Sequence, residues 1–142
     1  MIPKIAPEQS LSPRVREYTA ALEAAGFSGD IETSYAARLA VATDNSVYQA
    51  LPQAVLLPRT LEDLQTITRI AQAPAFLPLK FSPRGGGTGT NGQALTEHLV
   101  VDLSRHMRQI IEFNPQERWV RVQAGVIKDQ LNAFLKPHGF FF

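Results

Sequence analysis

Five of the chain's nine glycines fall in one twelve-residue stretch, SPRGGGTGTNGQ, residues 82–93. Each glycine costs backbone entropy on folding and leaves no side chain to pack. Such a cluster predicts a segment whose backbone must be approached closely. It constrains the fold at once, because a loop of this kind needs rigid elements on both sides to aim it.

The flanks supply those elements. AVLLP (residues 54–58) reads as a short buried strand closed by Pro58. Thr60 then caps a helix, with Asp63 three residues on as a capping box, and Leu61, Leu64, Ile67 and Ile70 form its apolar face up to Pro74. LKF (residues 79–81) reads as a second short strand between Pro78 and Pro83. After the loop, HLVVDL, QIIEF and RWVRVQA read as strands, the last alternating through Val120, Val122 and Ala124. NPQE between the last two is a hairpin turn signal. Residues 126–136 form an amphipathic helix with Ile127, Leu131, Phe134 and Leu135 on one side.

Upstream, residues 1–10 read as an irregular arm interrupted by Pro3 and Pro7. A helix is expected over residues 12–25, with Ser12 as N-cap, Pro13 at its first position and Gly26 as its stop. A shorter helix is expected over residues 30–39. The order of elements predicts an α+β fold with a small mixed sheet and flanking helices. The expected organisation is a helical arm over residues 1–42 and a second unit over residues 43–142. The aromatic ending, residues 140–142, reads as the start of a buried strand and so predicts a chain that continues. Docking of these rings on the domain's own core is the competing reading.

Composition narrows the function classes. Fourteen basic and thirteen acidic residues give a net charge of +1, too balanced to steer nucleic acid or an anionic membrane. With no cysteine, disulfides, thiolate metal sites and a cysteine nucleophile are excluded within this chain. His98, His106 and His138 lack ligand spacing. MIPKIAPEQS has no apolar core of a signal peptide, and no apolar run approaches the ~18 residues of a membrane span. A cytoplasmic address is expected.

The glycine loop has two readings. It is a cradle in which bare amides receive a phosphate or pyrophosphate, helped by Thr88, Thr90 and Arg84, or it is a surface loop using glycine for turns. A Walker A loop would end in lysine followed by serine or threonine, whereas this one ends in TNGQ. Residues 87–92 match G-x-G-x-x-G, with Glu112 twenty residues beyond Gly92. Leu95, Leu99, Leu103 and Met107 even allow a helix after the loop. An NAD(P)-binding Rossmann unit therefore stays open, although Ser82, Pro83 and Arg84 separate the expected strand from the loop and LVVDL has the β-branched adjacency of a strand. A non-enzymatic phosphate-binding module stays open beside it. A strand at residues 99–103 would count against the Rossmann reading, which requires a helix there.

PRGGGTGTNGQ, the lead-in DNSVYQALPQAVLLPRTLEDLQTI and the following LVVDLSRHMRQIIEFNPQERWVRVQAGVIKDQLNAFL together resemble the FAD-linked oxidases of the vanillyl-alcohol-oxidase/para-cresol-methylhydroxylase type. The resemblance runs from about Thr43 to the end and is nearest the bacterial D-2-hydroxyacid dehydrogenases that carry an iron–sulfur module downstream. It implies the first subdomain of that family's FAD-binding domain. It implies that Arg84, Gly85, Gly86, Gly87, Thr88 and Gly89 face the FAD pyrophosphate, with Asn91 and Gly92 completing the turn. Some relatives bond FAD to a histidine in this loop; Thr88 stands there, so the resemblance implies non-covalent FAD. It further implies oxidation of a D-2-hydroxy acid by hydride transfer to flavin, with electrons sent onward to an acceptor, and assigns no catalytic residue to this chain.

Outside the loop, Gly125 reads as a strand-to-helix corner, Asp102 and Ser104 as a turn, His106 as a surface residue, and Trp119 as packing on a neighbouring layer.

Overall fold

The computed structural model describes residues 10–142; the expected arm over residues 1–10 lies almost wholly outside them. Helix α1 (Pro13–Ala24) starts where Ser12 accepts the Val15 amide and Pro13 occupies the first turn. It is followed by β1 (Asp30–Glu32), α2 (Tyr35–Ala40), β2 (Ala54–Leu57), α3 (Leu61–Ala71), β3 (Phe81–Arg84), β4 (Leu99–Asp102), β5 (Ile110–Asn114), β6 (Trp119–Val122) and α4 (Lys128–Leu135). This is the α+β arrangement with a small mixed sheet.

The main sheet has the order β1-β2-β4-β3, with β1 antiparallel to β2 and the other three strands parallel. Strands β2 and β4 are buried along their whole length, as central parallel strands with both faces covered should be. On one face, Ala54, Leu56, Leu99 and Val101 meet Val15, Tyr18 and Leu22 of α1 and Ile67 of α3. The Tyr18 hydroxyl donates to the Ile67 carbonyl at 2.7 Å, tying α1 to α3. Helices α1 and α3 thus pack on the sheet in one core. The opposite face carries the smaller cluster of Val41, Val55, Leu57 and Val100.

Helix α3 shows the expected box: Thr60 accepts the Asp63 amide at 3.1 Å, and Asp63 accepts the Thr60 amide at 3.2 Å. Asp63 also receives the Ser28 amide, the Ser28 hydroxyl and the Arg59 amide, each at 2.8 Å. Burial alone would push this carboxyl upward, but the donors outweigh it and its pKa lies below the usual carboxylate value.

The second sheet is the β5–β6 hairpin, bulged between Ile110 and Glu112 and turned through Arg118 at φ 58°. Leu131 and Leu135 of α4 are buried, and Phe113 meets Phe134 and Phe140 edge-to-face at 5.9 and 5.6 Å.

Three local expectations change. Residues 30–39 are not one helix. Residues 30–32 pair with β2, and Ser34 restarts the chain as α2 by accepting the Ala37 amide at 3.3 Å. The sheet edge overrode the local helical pattern. Strand β3 covers residues 81–84 rather than 79–81, because it is an edge strand and Pro83 there costs no ladder bond. Residues 140–142 form no strand, and the Phe141 side chain is 89% exposed.

Candidate functional site

The glycine loop leaves directly from the C-terminal end of β3, beside the end of β4, where Arg84 pairs with Asp102. No residues intervene, so that objection to a Rossmann turn falls. The decision comes from the far side: residues 99–102 are strand β4, parallel to β3, and not the helix a Rossmann unit requires.

Segment 43–49 braces the loop. Thr43 and Gln49 bridge, the Asn45 amide donates to the Gly89 carbonyl at 3.0 Å, and the Tyr48 side chain lies against Gly92. Asp44 folds this brace by accepting the Ser46 amide at 2.8 Å. The Ser46 contact and the nearby Arg84 charge hold the Asp44 carboxyl below the usual range, against the opposing pull of burial. Its Oδ2 is buried without a hydrogen-bond partner among the described residues. The Ser82 hydroxyl closes the base of the loop by donating to the Gln93 carbonyl at 2.8 Å.

The nine glycines separate by physical cause. Gly26, Gly87, Gly92 and Gly139 have positive φ, between 65° and 79°. A Cβ on Gly29 would strike the Leu57 carbonyl oxygen, and one on Gly89 would meet the movable end of the Gln93 side chain at 2.6 Å, displacing it from the Asn91 amide. A Cβ on Gly125 would strike the Leu103 carbonyl oxygen and lie 2.7 Å from that of Met107. Only Gly85 and Gly86 have no such reason: a Cβ would meet nothing within 4 Å at Gly85, and only Thr88 Cγ2 at 3.7 Å at Gly86. The fold does not need glycine at either place.

Those two glycines, with Thr88, line a cleft of about 470 Å³. Ser104, Arg108 and residues 124–128 complete its lining. Among the described residues, no amide of Gly85, Gly86, Gly87, Thr88 or Gly89 donates a hydrogen bond. Helix α4 starts in this lining, with Ile127 as an N-cap that makes no side-chain bond. Gly125 is the corner that lets this segment pack, with its amide on the Met107 carbonyl at 2.8 Å.

Of the residues expected to face a cofactor, the cleft brings together Gly85, Gly86 and Thr88. Gly87, Gly89 and Gly92 shape the turn, and the Asn91 amide is held by the Gln93 side chain at 3.1 Å. Arg84 lies beneath the loop; its guanidinium sits against Gly87 and donates to the Val41 carbonyl at 3.4 Å. Asp102 and Ser104 form the expected turn, with the Ser104 amide and hydroxyl on Asp102 Oδ1 at 2.8 and 2.6 Å. His106 is more engaged than a free surface residue: its Nε2 lies 2.7 Å from Asp30 Oδ2. That bond and Arg59 lower the Asp30 pKa despite partial desolvation. Trp119 donates to Glu117 at 2.7 Å and lies under the Arg121 guanidinium, beside the hairpin turn.

Arg108 and Lys128 were not singled out in the sequence as cleft residues. They sit fifteen and thirty-five positions past the loop, Arg108 just before the β5–β6 hairpin and Lys128 just after it, and only the fold brings them to the same cleft.

The cleft suits an anionic bridge approaching bare backbone: two glycines with space where their side chains would be, unpaired amides, two basic residues and no carboxylate in the lining. A model of the FAD binding domain matches residues 52–142. The chain is 58% identical over its full length to a D-2-hydroxyglutarate dehydrogenase of Pantoea ananatis, and 56% identical to that of Escherichia coli. It covers 14% of each of those proteins. Among solved structures, p-cresol methylhydroxylase superposes over 96% of this chain and 27% of its own, with a TM-score of 0.70 at 14% identity.

Proposed function

The chain belongs to the FAD binding domain family, and on that premise we propose that it holds the FAD pyrophosphate in a flavin-dependent dehydrogenase acting on a D-2-hydroxy acid. D-2-hydroxyglutarate is the substrate of first choice, supported by the names of relatives matched along the whole chain. The single observation that carries the cofactor reading is the pair Gly85 and Gly86. They line the cleft, their amides are free, and nothing in the fold itself demands glycine there.

In this reading the amides of Gly85, Gly86, Gly87, Thr88 and Gly89 receive the pyrophosphate oxygens. Asn91 and Gly92 complete the turn, and Arg84 adds charge from beneath. The brace at residues 43–49 fixes the loop before the cofactor arrives, so few groups need ordering on binding. Thr88 offers no imidazole, so the cofactor is held without a covalent bond. When bound, FAD supplies the redox chemistry by accepting hydride from the substrate α-carbon. This chain's contribution is position and electrostatics; the groups that bind substrate and move its proton belong to other parts of the enzyme. We place the reaction in the cytoplasm; among the described residues, no helix is long and apolar enough to cross a membrane.

The test uses the full-length protein. It should purify with FAD that is released on denaturation, and anaerobic D-2-hydroxyglutarate should bleach the flavin absorbance. Protein that neither carries nor takes up FAD would overturn the cofactor reading. Flavin that D-2-hydroxyglutarate leaves oxidised would overturn the substrate choice alone.

A further inference from the structure

We propose that Arg108 is a cationic clamp that closes on the FAD diphosphate in the cleft it shares with the glycine loop. The inference rests on the cofactor reading above and adds a residue and a charge to it. A second cleft of about 440 Å³, rimmed by Glu32, Asp102 and Arg105, lies beside the first. Ser104 and Arg108 are the residues the two linings share. Ser104 is committed to Asp102. Arg108 is exposed, and its guanidinium makes no hydrogen bond or ion pair among the described residues.

Its backbone, in contrast, is firmly held. The Arg108 amide donates to the His106 carbonyl at 3.1 Å. The preceding Met107 is 6% exposed, donates to Leu103 and accepts from Gly125. A fixed base with a free, forked head lets a guanidinium meet two phosphate oxygens at once, the planar fork losing less freedom per bond formed than a lysine would. The other arginines nearby are engaged: Arg105 faces Glu32 at 3.8 Å, and Arg84 is turned under the loop to Val41. Lys128, at the start of α4, is the remaining cation of the lining, but a point charge on a flexible stem cannot form the same fork. The glycine amides are neutral dipoles and Arg84 is held to Val41, so Arg108 is the one guanidinium in the lining free to add a forked charge to the bridge.

FAD affinity is measured on the full-length protein, stripped of flavin, at low and high salt. The Arg108→Gln protein should bind FAD about tenfold more weakly at low salt. The gap should narrow at high salt, because an exposed charge is screened. Arg108→Lys should recover part of the loss, and Lys128→Gln should cost less than Arg108→Gln. An Arg108→Gln affinity within about twofold of the unchanged protein at low salt overturns the clamp. So does a loss that is independent of salt and unrepaired by lysine, which marks a merely structural role. A Gly86→Val protein measured alongside separates the two claims. If it loses FAD while Arg108→Gln does not, only the clamp fails; if it keeps FAD, the cradle fails.

Discussion

Replacing Gly86 with valine separates a ligand's space from the fold's own needs. In the chain by itself a Cβ at this position meets only Thr88 Cγ2, at 3.7 Å, and Gly86 has no positive φ. The flavin-free protein should therefore keep its stability to within about 1 kcal/mol. With FAD, the branched side chain would occupy the cleft where a phosphate approaches. Displacing the bridge by one atom's width breaks roughly two charge-assisted amide bonds. At ~1.5–3 kcal/mol each, that is ~3–6 kcal/mol, or about 10²- to 10⁴-fold in Kd. Gly87→Val is the matched control: φ is +65° there, and the new Cβ would lie 2.6 Å from the Arg84 guanidinium carbon. Both variants should lose FAD, but only the second should unfold at a lower temperature without it. Calorimetric titration with FAD and thermal melts of the flavin-free full-length proteins supply both readouts. An unchanged FAD affinity in Gly86→Val would refute the reasoning. So would a flavin-free melting temperature lowered as far as that of Gly87→Val.

Two further outcomes follow from the fold. Asp63 joins Ser28, Arg59 and Thr60, so Asp63→Ala should cost about 2–4 kcal/mol in denaturant unfolding. Because the folded-state pKa of Asp63 is depressed, its stabilisation is present above the ordinary carboxylate pKa and is lost as pH falls through the folded value. Acid unfolding of the Asp63→Asn protein should accordingly be less steep than that of the unchanged one. Gly125→Ala sets a Cβ against two backbone carbonyls, Leu103 and Met107, and should destabilise by about 3 kcal/mol or more in the same assay.

Much of this was legible in the residues because the signals were local. Ser12 and Pro13 start α1, Thr60 and Asp63 start α3, and the β-branched run at residues 99–102 makes a strand. Where reading failed, the deciding interaction was distant in sequence. Residues 30–32 become a strand because β2 offers its edge, and Pro83 is tolerated because nothing pairs beyond β3. In the site, glycine content pointed to the loop, but composition could not separate glycines the turn requires from those that leave room for a ligand. That distinction needed the neighbours of each missing Cβ. Arg108 was invisible for the same reason: its relevance lies in a cleft it shares with residues twenty or more positions earlier.

The central claim is that the bare amides after β3 are the bed for the cofactor's phosphates, and amide hydrogen exchange reads those groups themselves. In the full-length protein, peptides spanning residues 82–93 should exchange quickly without flavin and become protected when FAD is added, while those spanning α1 remain unchanged. Equal exchange in that stretch with and without bound FAD would contradict the account.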